Sequence, residues 1–328
     1  MGRGHIRLFA QAKWTRVFAI GCLVALMGCE TTLPVQNTPV PPNRPARVAP
    51  VKPAAPAVQS QHSLDLARYY QRVQNDLTAQ DLLRTDGGGP DTQFGADTLL
   101  RNFEQIAFYD EYARGGGLSR SSGAIGRLKK WQGPVRMTVQ HGKFATEADR
   151  ARDYAEVANY AARLARVTGH PIGMSQSSAN FHVLFMGEDD ADTLKDRVRA
   201  IVPEINPNAL AIFNRLPRSV HCLVLAFAGT ENSYGYARAI AVIRAEHPDL
   251  MRKSCIHEEL AQGLGLANDS PRARPSIFND DDEFALLTTH DEMLLRMLYD
   301  PRLTPGMTLE AARPILTETA RKLTGGNS

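Results

Sequence analysis

Residues 254–270 read SCIHEELAQGLGLANDS, and the setting of this stretch decides the fold. Ile256, His257, Leu260, Ala261 and Leu264 fall on one stripe of a 3.6-residue helix, so the pattern predicts a helix over 249–266 closed by a glycine-rich turn. His257-Glu258 opens like the zinc-peptidase signature H-E-x-x-H, in which two histidines four apart grip one Zn²⁺ and the glutamate acts as general base. Position 261 is alanine, so the second ligand is missing. At about 100° per residue, Glu258, Gln262 and Gly265 line another side of the helix, with Cys255 and Glu259 near them. His257 and Gln262 diverge by about 140° and cannot share an ion. Glu258 with Gln262 is a poor zinc site and a good hydrogen-bonding face. His257 reads as a ring at the edge of a packed face, donating to a backbone carbonyl.

Upstream, residues 134–140 alternate as a strand, and 146–167 form a long alanine-rich helix that stops at Gly169. Strands follow at 181–186, 220–226 and 237–243, with a short helix over 190–202. This order predicts an α+β fold, a mixed sheet with backing helices. Two helical patterns precede it, at 64–77 and 99–109, and a helical section follows it at 280–298 and 308–323. The chain thus divides into a helical preface at 63–124 and a main domain at 125–328. The glycine-rich segments 86–90 and 115–117 do not follow a strand with Lys-Ser/Thr behind them, so neither is a phosphate cradle.

The N-terminus carries an address. Arg3, Arg7, Lys13 and Arg16 precede the apolar run 17–28, which is too short for a permanent span, and Leu26-Met27-Gly28-Cys29 has the form of a bacterial lipobox. Residues 1–28 therefore read as a signal peptide, and Cys29 as the lipidated N-terminus of an envelope lipoprotein facing the periplasm from the inner or outer membrane. Removing 1–28 takes four of the 38 basic residues and none of the 35 acidic ones, leaving 34 against 35. Such a balance gives no electrostatic reason to bind nucleic acid. Residues 29–62 form a linker whose eight prolines between 33 and 58 predict a PPII-biased tether, reaching roughly 80 Å where extended.

Cys222 and Cys255 remain, and an even pair in an oxidising compartment favours a disulfide. Two separate buried thiols, or a nucleophilic Cys255 beside His257, are the alternatives. The acidic run formed by Asn268, Asp269 and residues 279–283 lacks EF-hand spacing and reads as complementing a helix start. Thr289 with Glu292 predicts a capping box that starts a helix at His290.

Glu258, Glu259, Gln262, the Leu264-Gly265-Leu266 turn, His290-Asp291 and the stretch Tyr299-Asp300-Pro301-Arg302 with Pro305-Gly306-Met307 resemble the bacterial secreted family called domain of unknown function 2927. The resemblance covers about residues 125–325 and implies a zincin-like arrangement of sheet, backing helix and glutamate-bearing helix, with no established activity. It leaves two functional expectations. In the first, a zincin-like module without zinc or other cofactor binds a peptide, glycan or partner protein of the envelope along its sheet edge and polar helix face. In the second, a divergent hydrolase uses Glu258 as base, with His257 or His290 as ligand or electrostatic partner. Either way, the candidate site residues are His257, Glu258 and Gln262, with Asp269, His290 and Asp291 as further members of a cleft.

The lipobox reading is testable directly. Cys29→Ser should leave an unacylated, unprocessed precursor in a fatty-acid labelling experiment, and label recovered on the serine variant would refute it.

Overall fold

The computed structural model describes residues 58–109, 123–214, 216–230, 233–279 and 281–326. The segment 1–28 read as a signal peptide, Cys29, nearly all of the proline-rich linker, residues 115–117 and Asp280 lie outside them. In chain order the elements are α1 (Gln61–Ala79), α2 (Ala96–Phe108), β1 (Lys130–Trp131), β2 (Val135–His141), α3 (Glu147–Thr168), β3 (Ile172–Met174), β4 (Phe181–Met186), α4 (Ala191–Ile201), α5 (Pro207–Ala211), β5 (Cys222–Ala228), β6 (Gly235–Arg244), α6 (Asp249–Gln262), α7 (Thr289–Leu298) and α8 (Leu309–Leu323).

The sheet runs β5-β6-β4-β2-β3, with β1 pairing the first residues of β6. Every pair is parallel except β5 with β6. β4 and β6 read FHVLFM and GYARAIAVIR, and their near-continuous apolar runs suit strands covered on both faces. Alternation sorts the two faces. Val183, Phe185, Ala241 and Ile243 join the main core with α3, α6 and α7, whereas Leu184, Met186, Ile240 and Val242 join a second core under α4 and α5. The mixed α/β architecture with helices at both ends is therefore as the sequence implies, and helices back both faces of the sheet.

Long helix α3 begins at the Thr146 N-cap, whose side chain and that of Asp149 form a capping box, and it stops at Gly169 in the left-handed conformation (φ 65°). Two short strands, β1 and β3, escaped the pattern because two or three residues show no period.

The C-terminal helical section differs from its expectation. Residues 281–288 are not helical, and α7 starts one residue earlier than the sequence suggests. Thr288 is its N-cap, with Asp291 completing the capping box in place of Thr289 and Glu292. Asp291 wins because its carboxylate also accepts from Ser276 Oγ (2.5 Å) and Ile277 N (3.1 Å), tying the preceding loop to the helix start. The α7 cap is thus made by Thr288 and Asp291 and not by the acidic run before it. Glu283 pairs with Arg84 (2.9 Å) and Arg274 (2.6 Å), while Asp281 Oδ1 accepts from Glu283 N (3.0 Å).

Cys222 at the start of β5 and Cys255 in α6 form a disulfide with their Cα atoms 5.9 Å apart. It fixes the outermost strand to the helix beneath. On the chain-entropy model a loop of this size stabilises by about 3 to 4 kcal/mol. Cys222→Ala/Cys255→Ala should lose that amount in urea unfolding, and non-reducing mass spectrometry of the parent should show a single linked peptide pair; full alkylation without reductant would contradict the bridge.

Candidate functional site

The C-terminal turn of α6 is pressed into the sheet. A Cβ at Gly263 would lie 2.6 Å from the Phe181 ring, and one at Gly265 (φ 132°) would strike the Lys129 carbonyl oxygen, so both positions require glycine. The freed carbonyls are then used by other segments. Trp131 Nε1 donates to Gly263 O (2.9 Å) and Tyr299 Oη donates to Leu264 O (3.1 Å). Lys130, buried beside them, donates to Leu298 O (3.0 Å) and Asp300 O (3.3 Å) at the end of α7, and burial lowers its pKa to about 8. Most of the family-like pattern is thus a docking device.

The register places this turn relative to the sheet edge. Phe181 pairs with Ala239 on β6, and Ala239 pairs with Ala226 on β5. The end of α6 therefore sits level with the last third of β5, and the disulfide sits level with its start. Cys255, Glu259 and Gln262 are buried, while Glu258 is half-buried. Gln262 Nε2 donates to Asp269 Oδ1 (2.9 Å), and Asn268 Nδ2 donates to Gln105 O (3.0 Å) at the end of α2. Two carboxylates on the helix, one on the following loop and two amides thus occupy one end of α6.

The histidines do not join them. His257 stacks on Tyr160 of α3 (centroids 4.0 Å) and its Nδ1 accepts from Leu287 N (2.9 Å), the reverse of the predicted donation to a carbonyl. Its own carbonyl accepts from Tyr160 Oη (2.8 Å). His290 is fully buried beside Phe94, with Nε2 3.0 Å from Asn102 Nδ2 on α2, so it faces α2 and not the Glu258 helix. Asp291 serves the cap described above. Of the predicted set, the structure brings Gln262 and Asp269 together, with Glu258 on the same helix end, and separates His257, His290 and Asp291 into structural roles.

A helical frame that starts at His257 leaves Glu259 and Asn268 outside the candidate set. Burial is the signal that singles them out. Chemically, the set offers carboxylates and amides, suited to hydrogen bonding and ill suited to zinc. Among the described residues no group of three or more His, Cys, Asp or Glu side chains converges to hold a metal ion.

Burial, and then the charges of Arg163 and Lys253, lower the His257 pKa from 6.5 to about 3. Burial depresses His247 in the same direction. Because these folded values lie below the unfolded one, the unfolded chain binds protons first. The stability they contribute is present above about pH 6.5 and is lost as pH falls towards the folded value. His257→Gln should flatten the dependence of unfolding free energy on pH between about pH 6 and pH 4 by nearly one proton, about 1.4 kcal/mol per unit. An unchanged slope in urea titrations would show that His257 is not held neutral.

No curated protein and no solved structure matches the chain. The profile of the family described as "Protein of unknown function (DUF2927)" matches residues 96–318, from the first residue of α2 into α8. That span takes in the whole sheet, the docked turn and the polar end of α6, and the chain belongs to this family.

Proposed function

We propose that this chain is a lipid-anchored envelope protein whose zincin-like module lacks zinc and binds an extended peptide along β5. One observation carries the reading. Among the described residues, no backbone group of β5 bonds to anything but β6, so one whole side of an apolar strand is open beside the polar end of α6. An open edge is a template for strand addition, in which backbone hydrogen bonds supply affinity and neighbouring side chains supply selectivity. Glu258, Glu259, Gln262 and Asn268 then lie level with the end of β5 to meet the peptide's polar groups.

Glu258, Glu259, Gln262, Gly265 and Asn268 stand at the spacing of the metzincin signature H-E-x-x-H-x-x-G-x-x-H. In that frame Glu259, rather than Glu258, takes the place of the general base, and the three ligand positions hold a carboxylate and two amides. An antiparallel strand at the edge of an otherwise parallel sheet, bridged to this helix, is consistent with the same ancestry. The replacements favour a binding module over a zinc hydrolase.

Peptides selected from a displayed library on the purified protein should slow hydrogen exchange of the β5 amides, and N-methylation of alternate peptide nitrogens should abolish binding. Selected peptides that bind while leaving β5 unprotected would move the site elsewhere. Protein purified without chelator should contain well under one equivalent of zinc and melt at the same temperature with EDTA. Stoichiometric zinc, with a peptidase activity lost in Glu259→Gln, would favour the hydrolase instead.

A further inference from the structure

A second site lies on the far end of the sheet from the polar turn of α6. Helix α1 crosses the region where β4 and β6 end. Ser63 Oγ donates to Glu246 Oε1 (2.6 Å), and Gln74 Oε1 accepts from Leu250 N and Met251 N (both 3.1 Å). Tyr70, fully buried, donates to Arg218 O (2.9 Å) and so ties the turn before β5 to the helix. Between α1 and this turn lies a cleft of about 530 Å³, with Tyr69, Arg68, Arg72 and Asp65 on the helical side, Arg218 across from them and Glu188 also in its lining.

The charges in this cleft do not balance. Asp65 is paired with Arg68, and Glu188 lies 3.3 Å from His62 and 3.9 Å from Arg244. Arg72 and Arg218 have no hydrogen-bonding or ion-pair partner for their guanidinium groups among the described residues. Arg218 is nonetheless oriented, with its guanidinium 4.9 Å over the Tyr69 ring. A stacked, weakly hydrated guanidinium loses little on meeting an anion and presents a fork that fits phosphate oxygens. Residues beyond 28 are close to neutral, so this pair is a local feature and not a sample of a basic surface. Two guanidinium forks without partners, in a lining where three arginines meet only Asp65 and Glu188, suit a compact oxyanion with several acceptor oxygens, and a phosphomonoester supplies three.

We propose that the cleft between α1 and the Leu216–Arg218 turn binds a phosphomonoester group, with Arg72 and Arg218 as its cationic contacts. This site is independent of β5. The same chemistry is offered by a free phosphorylated small molecule and by a lipid headgroup, and the test separates them. The chain from Glu30 onward, which has no Cys29 to acylate and is prepared with its Cys222–Cys255 bridge formed, is titrated with inorganic phosphate by calorimetry and is sedimented with phosphatidic acid–phosphatidylcholine vesicles or with phosphatidylcholine alone. Saturable binding to free phosphate assigns a soluble ligand, and binding to the phosphatidic acid vesicles alone assigns a headgroup. In either case Arg72→Gln/Arg218→Gln should weaken it by about tenfold or more. Arg68→Gln, which alters an arginine already paired, should change it much less. Both proposed contacts are exposed, so an unchanged melting temperature certifies the variant's fold. Binding in neither arm, or binding that survives the double substitution, overturns the proposal.

Discussion

The glycine turn at the end of α6 is the contact on which the rest of the arrangement depends. Gly263 and Gly265 let a helix end approach the Phe181 ring and the Lys129 carbonyl more closely than any side chain would permit. Two carbonyls are thereby presented to Trp131 and Tyr299, which come from opposite ends of the domain in sequence. Once this joint is closed, the register of β4, β6 and β5 carries its position to the sheet edge, and the polar end of α6 has only one place to be. The alternative, a buried turn with unpaired carbonyls, would cost roughly 1 to 3 kcal/mol for each.

Long periodic elements were legible in the sequence because burial on one or two faces imprints a repeat. The α3 helix, β4, β6 and the order of elements follow from Val157, Tyr160 and Leu164 at helical spacing and from apolar runs such as AIAVI. The start of α7 was misplaced by one residue because Thr288 and Thr289 are equally good caps locally. The loop at Ser276 and Ile277, fifteen and fourteen residues away from Asp291, makes the choice. No local rule contains that information.

The candidate site was half legible for a similar reason. A helical projection shows which residues share a face and not what lies opposite. His257 drew attention as a potential ligand, yet a tyrosine ring from α3 and an amide from the loop before α7 occupy its surroundings. His290 was reachable from α6 in principle, but Asn102 on α2 engages it. Gln262 and Asp269 were close in sequence and are close in space, because one tight turn connects them.

The bridge between Cys222 and Cys255 has a consequence for the life of the chain before it is complete. An apolar edge strand whose backbone bonds, among the described residues, only to β6 is a seed for exchange between copies, since its free side can pair with the β5 of a neighbour. Oxidation pins β5 to α6 at one end and so forbids the outward swing that such swapping needs. In a reducing compartment the strand is held by β6 and packing alone, and any molecule that folds there carries an unlatched edge. Oxidation is therefore a safeguard for solubility as well as a contribution to stability, and it acts at an edge strand of the sheet.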